Sequence, residues 1–150
     1  MPTITPFLWF DTQAEDAMTF YASIFKRSQV LSVSRSQGKV VSVSFELEGQ
    51  RFMGLNAGPQ FPFTDAVSFF VSCETQADID ELWARLSEGG TPGRCGWLKD
   101  KFGLSWQIVP STLGQMIGDP DAAKSSRVVT AMLQMSKMDL ARLQQAYDGV

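Results

Sequence analysis

The sequence predicts an α+β fold of two βαβββ units forming a cupped mixed sheet, followed by a C-terminal helical extension. Three observations predict it. Short apolar or alternating runs bounded by Gly, Pro, Asn or Asp read as strands. A run of helical spacing follows the first strand of each half. The order strand, helix, strands then recurs near residue 66, so the repeat is one of topology rather than of residues.

In the first unit, about 1–57, residues 4–10 (ITPFLWF) are apolar and aromatic and read as a buried strand. Asp11 and Thr12 are placed to cap a helix over 14–25, with Ala17, Phe20, Tyr21 and Ile24 on one face. Residues 28–36 (SQVLSVSRS) alternate weakly, and Gln37-Gly38 reads as a hairpin turn. Residues 40–48 (VVSVSFELE) alternate cleanly, with Val41, Val43, Phe45 and Leu47 opposite Ser42, Ser44, Glu46 and Glu48. Gly49-Gln50 is read as the turn into a strand over 51–56.

In the second unit, about 66–110, residues 66–73 (AVSFFVSC) form the opening strand. Thr75 begins a helix with Asp78 three residues on, close to a capping box. Ile79, Leu82, Trp83 and Leu86 make its apolar stripe, and Gly89-Gly90 ends it. Residues 95–99 and 104–110 read as strands joined by Asp100-Lys101-Phe102-Gly103, with a third strand near 90–93. The tail, about 111–150, carries a short helix to Ile117, a break at Gly118-Asp119-Pro120, a helix capped by Asp121, and a last one opened by residues 136–139. All 150 residues are read as one domain.

Composition excludes several function classes. The chain has 44% hydrophobic and 19% charged residues, which is globular rather than disordered. Its net charge of −3 with interspersed signs leaves no basic stripe for a phosphate backbone, so nucleic acid is not an expected partner. Met1–Thr5 lack a basic segment leading into an apolar run, and no apolar stretch approaches the ~20 residues of a membrane span. Two cysteines make no disulfide framework, so a cytoplasmic setting is expected. The count of zero histidines removes Ser-His-Asp and Cys-His activation, HExxH metal binding and imidazole base chemistry together.

Strand alternation suggests two faces. Leu104, Trp106 and Ile108 align with Val67, Phe69 and Val71, and with Phe7 and Trp9, as the face beneath the helices. The opposite, concave face is read as Leu8 and Phe10; Ser42, Ser44 and Glu46; Phe52, Gly54 and Asn56; Ser68 and Phe70; and Ser105, Gln107 and Val109. Aromatic walls with scattered hydrogen-bonding groups suit a small organic ligand. The expected pocket is Phe10, Ser44, Glu46, Phe52, Asn56, Ser68, Phe70, Trp97, Ser105 and Gln107. Trp97 and Phe102 offer rings for stacking. Glu46, as a base raised by burial or a carboxylate facing water, and Cys95, as a nucleophile or a wall residue, are weak catalytic candidates.

Three stretches carry a family resemblance: ITPFLWFDTQAEDAMTFYASIF, GQRFMGLNAGPQFPF and CGWLKDKFGLSWQIVP. They resemble the PhnB-like, demethylubiquinone 3-methyltransferase-like branch of the vicinal oxygen chelate superfamily, which includes glyoxalases, dioxygenases and bleomycin-resistance proteins. The likeness covers nearly the whole chain. It implies the glyoxalase/bleomycin-resistance fold and a divalent metal held by His and Glu from four strands. Those ligand positions fall near Ile4, Gly54 and Ala66 and on Gln107, none of which is an adequate ligand set. No metal or other cofactor is therefore expected, and the strand–helix junctions FDTQAED and CETQADID lack the glycine-rich turn of a nucleotide-binding site.

The expectation is thus a metal-free small-molecule-binding protein, or a weak enzyme of unknown reaction. Two alternatives stand beside it: a metal-independent lyase or isomerase with Glu46 as base, and a dimeric interaction protein whose cup is filled by its own side chains. A homodimer is expected, with Phe61-Pro62-Phe63 and the C-terminal helices as apolar surface.

Overall fold

The structure, a computed structural model, describes all 150 residues. The chain folds as two compact units, Met1–Phe63 and Thr64–Val150.

The first unit holds β1 (Phe7–Phe10), α1 (Ala14–Ile24), β2 (Ser28–Ser36), β3 (Lys39–Leu47) and β4 (Gln50–Asn56). Its sheet runs β1-β4-β3-β2, with β1 parallel to β4 and the other pairs antiparallel. Both hairpin turns use two successive residues of positive φ, Gln37-Gly38 and Glu48-Gly49, the geometry that matches strand twist. The second turn therefore sits one residue earlier than the sequence suggested. Side-chain parity follows from the clean alternation of β3: Val43, Phe45 and Leu47 are buried, and Tyr21 of α1 meets Phe45 with ring centroids 6.3 Å apart. Ala14, Ala17, Met18, Tyr21 and Ile24 form the buried stripe of α1. Burying each of the larger side chains contributes about 1.5–3 kcal/mol.

The second unit holds β5 (Ser68–Cys73), α2 (Gln76–Ser87), β6 (Thr91–Pro92), β7 (Trp97–Lys99) and β8 (Ser105–Pro110). Its sheet order, β5-β8-β7-β6, repeats the first, and β5 runs parallel to β8. Thr75 caps α2 as expected, its Oγ1 accepting from Asp78 N at 3.1 Å. Ile79 and Leu86 of α2 are buried along with Leu98, Trp106 and Ile108, and α2 lies against β7 and β8. The short strand expected near 90–93 is β6.

The tail forms α3 (Leu113–Ile117), α4 (Ala122–Met132) and α5 (Leu140–Asp148) and belongs to the second unit. Asp121 and Asp139 cap α4 and α5 through their carboxylates. The stretch between these helices is tied to the loop before β7: Cys95 N and Gly96 N donate to the carbonyls of Met135 and Ser136. No helix is long and apolar enough to cross a membrane.

Candidate functional site

The open face of the second sheet carries the expected residues in two rows. Lateral register places Phe70, Gln107 and Trp97 side by side on β5, β8 and β7. The neighbouring row is Ser68, Ser105, Lys99 and Thr91. Gln107 reaches between the rows, its Nε2 donating to Ser68 Oγ at 2.9 Å. Ser105 is buried and donates to Asp65 Oδ1 at 2.9 Å, and Lys99 Nζ lies 3.2 Å from the same oxygen. The hydroxyl of Ser105, and then the Lys99 ammonium, hold the Asp65 carboxyl below its ordinary pKa. A groove of about 340 Å³ opens here, lined by Asp65, Thr91, Pro92, Gly93, Trp97 and Lys99 among others.

Sequence reading placed Ser68, Phe70, Trp97, Ser105 and Gln107 on this face, and the structure brings them together. It missed Lys99 and Asp65. Lys99 shares the parity of Trp97, a signal available in the sequence once β7 is set; Asp65 precedes its strand and is placed only by its hydrogen bonds.

On the first sheet the face assignment is corrected for two strands. Leu8 pairs with Gly54, Gly54 with Val43, and Phe52 with Phe45. Leu8, Phe10, Phe52 and Gly54 therefore lie on the α1 side with Val43 and Phe45, and all are buried. Phe52 stacks on Phe45 with centroids 5.5 Å apart. Asn56 shares that side, and its Oδ1 accepts from Ala14 N at 2.8 Å. It thus does the capping expected of Asp11 and Thr12. Phe10, Phe52 and Asn56 are structural residues of the helix side rather than open-face residues. Conversely, Phe7, Trp9, Met53 and Leu55 join Ser42, Ser44 and Glu46 on the open face. The physical reason is that FLWF is apolar at both parities, so periodicity in β1 chooses no face; pairing does.

Ser44 accordingly sits opposite Met53 and Ser32, its Oγ 2.9 Å from that of Ser32. Glu46 is half-buried between Arg51 and Gln29 in lateral register. Cys95 lies in the loop before β7 at φ 56°, with its Sγ 3.5 Å from the Met132 carbonyl. Cys73 ends β5, and burial pushes its thiol up to about 11. Both cysteines are free.

The family model described as 3-demethylubiquinone-9 3-methyltransferase matches residues 2–109. The chain belongs to this family. A PhnB protein of Bacillus cereus is 37% identical over 73% of this chain and 99% of its own, with a TM-score of 0.69. The fold alone is shared with two more distant structures. One is the fosfomycin resistance protein FosX of Listeria monocytogenes, solved with Mn(II) and sulfate: 12% identity, 71% and 89% of the chains covered, TM-score 0.54. The other is a glyoxylase/bleomycin resistance protein/dioxygenase domain from Frankia, with 13% identity, 73% and 92% covered, and TM-score 0.50. No curated protein matches the chain.

The divalent metal of the wider fold family does not fit the residues present. Ile4 is exposed ahead of β1. Gly54 turns its Cβ direction toward Val43 and Phe10 beneath α1. Ala66 precedes β5, and Gln107 is engaged with Ser68. One residue either side of Gly54 stand Met53 and Leu55, which add no hard donor. No three His, Cys, Asp or Glu side chains converge anywhere in the chain. The methyltransferase in this PhnB-like family's name finds equally little support in the strand–helix junctions. They carry no glycine, and the first amide of α1 is already taken by Asn56.

Proposed function

We propose that the chain is a small-molecule-binding protein that takes an organic ligand on the open face of its second sheet, with no metal in the site. One observation carries this reading: a groove of about 340 Å³ lined by Trp97, Lys99, Ser105 and Asp65, with Trp97 also ending the lateral row Phe70–Gln107–Trp97. Nothing in that row is a nucleophile or a base, which favours binding over catalysis.

Thermal shift with a metabolite panel and with Zn, Ni and Mn tests the reading. Stabilisation by an organic compound that disappears in Gln107→Leu, with the variant still melting cooperatively, is the expected result. A rise of several degrees with a stoichiometric divalent metal overturns the metal-free part.

A homodimer and a cytoplasmic setting belong to the same proposal. Phe61 and Leu133 are large apolar side chains more than half exposed, which favours association. Free Cys73 and Cys95 suit a reducing compartment. Light scattering that gives a monomer at micromolar concentration refutes the dimer.

A further inference from the structure

The groove beside Trp97 restricts its ligand further, and we infer that it takes a neutral sugar ring through two adjacent hydroxyl groups. The inference rests on the small-molecule reading above and deepens it. Asp65 and Lys99 set the polar half of the groove. Ser105 Oγ donates to Asp65 Oδ1 at 2.9 Å, and Lys99 Nζ lies 3.2 Å from the same oxygen. Oδ2 is thereby left to accept from a ligand, and Lys99 keeps N–H bonds to donate. Thr91 stands opposite Lys99 in the β6–β7 pair. Its hydroxyl has no protein partner and serves as donor or acceptor.

This inventory discriminates between ligand classes. A charged group drawn to one member of the Lys99–Asp65 pair is repelled by the other at nearly the same distance, so little net attraction remains. A wholly apolar ligand would strip water from both charges and return no hydrogen bond. Adjacent hydroxyls on a saturated ring satisfy both sides: one donates to Asp65 Oδ2 while its neighbour accepts from Lys99. Their oxygens stand roughly 3 Å apart, a hydrogen-bond length, which matches the 3.2 Å of the ion pair.

Trp97 supplies the apolar half. It shares the parity of Lys99 on β7. Gly93 N donates to the Trp97 carbonyl at 2.8 Å, so the residue beside Trp97 on the β6 side puts no side chain over the indole. A half-buried aromatic surface of this kind suits the slightly positive C–H groups of a sugar ring. At about 340 Å³ the groove accommodates one ring with its substituents rather than a fused system.

The test uses the full chain, labelled with nitrogen-15 and titrated with the methyl pyranosides of glucose, galactose and mannose, with cyclohexanol and with phenylalanine. The expected result is that at least one glycoside moves the Trp97 indole N–H resonance, identified by its loss in Trp97→Phe. Lys99→Met and Trp97→Leu each weaken that glycoside about tenfold or more, the scale of one hydrogen bond to a charged group. The Lys99 side chain is half exposed, so the first variant retains its melting transition. Cyclohexanol, the ring without adjacent hydroxyls, binds more weakly by a similar factor. Equal binding of cyclohexanol, glycoside binding untouched by Lys99→Met, or shifts confined to other resonances overturns the inference. If phenylalanine moves the Trp97 resonance and no glycoside does, the ligand is a zwitterion and the sugar assignment falls. If every probe fails while another compound stabilises the chain in a Trp97-dependent way, the sugar is wrong and the small-molecule reading stands. If no compound of either set binds, both fall.

Discussion

Trp106 Nε1 donates to Asp100 Oδ2 at 2.9 Å, joining the turn before β8 to the core of the second unit. The other carboxylate oxygen accepts from Phe102 N at 2.8 Å and Leu104 N at 3.1 Å. One side chain, 3% exposed, thus shapes the whole D-x-x-G turn that aims β8 and its Gln107.

Asp100→Ala leaves the indole and two amide donors without that acceptor. Each buried unsatisfied group costs about 1–3 kcal/mol, so the expected loss is about 3 kcal/mol or more in chemical denaturation. Trp106→Phe removes one donor and some packing and costs less than Asp100→Ala. The reverse order of the two would refute the turn's dependence on the carboxylate.

Gly54 is where the wider fold's ligand pattern lands, yet a Cβ there would meet Val43 Cγ2 at 3.1 Å and Phe10 Cε2 at 3.4 Å. Gly54→Glu therefore pushes a carboxylate under α1 rather than onto the open face. Overpacking alone costs about 1–3 kcal/mol. The melting temperature should fall, with no recovery on adding Mn or Zn; metal-dependent recovery would show that the side chain reaches a site.

Asn56 joins β4 to the start of α1 by accepting from Ala14 N, and its Nδ2 donates to the Val40 carbonyl at 3.3 Å. Asn56→Ala should cost about 1 kcal/mol, the usual worth of a helix cap. Asn56→Asp keeps the acceptor for Ala14 N and should cost less. Equal losses in the two variants would assign the effect to the Val40 bond instead.

Tyr147 Oη donates to Asp119 Oδ2 at 2.6 Å, tying α5 to the loop before α4. This bond, with the Asp121 amide, holds Asp119 below its usual 3.8, and the same bond raises Tyr147 above 10.0. The depressed carboxylate contributes stability above its unfolded pKa and loses it as pH falls through the folded one. The raised phenol contributes below pH 10.0 and loses it as pH rises through its folded value. The difference in urea midpoint between the native chain and Tyr147→Phe should therefore be constant from about pH 4 to 10 and shrink at both ends. A difference that does not change with pH would remove the hydrogen bond as its cause.

Local pattern was enough for much of this protein. Alternation in β3, the helical stripes of α1 and α2, the Thr75 and Asp121 caps and the Gln37-Gly38 turn all depend on residues within a few positions of one another, so sequence displays them. The open face of the second sheet was legible for the same reason, because β5 and β8 separate Ser68, Ser105 and Gln107 from Phe69, Trp106 and Ile108 by parity. Register and distant hydrogen bonds were not. Phe7 and Trp9 of β1 and Met53 of β4 face away from α1 only because Leu8 pairs with Gly54, and Gly54 with Val43. Asn56 caps a helix that begins 42 residues earlier, and Asp65 reaches Ser105 across 40 residues. Those choices belong to tertiary structure, because a strand that is apolar on both sides has no preferred face until a neighbour is paired beside it.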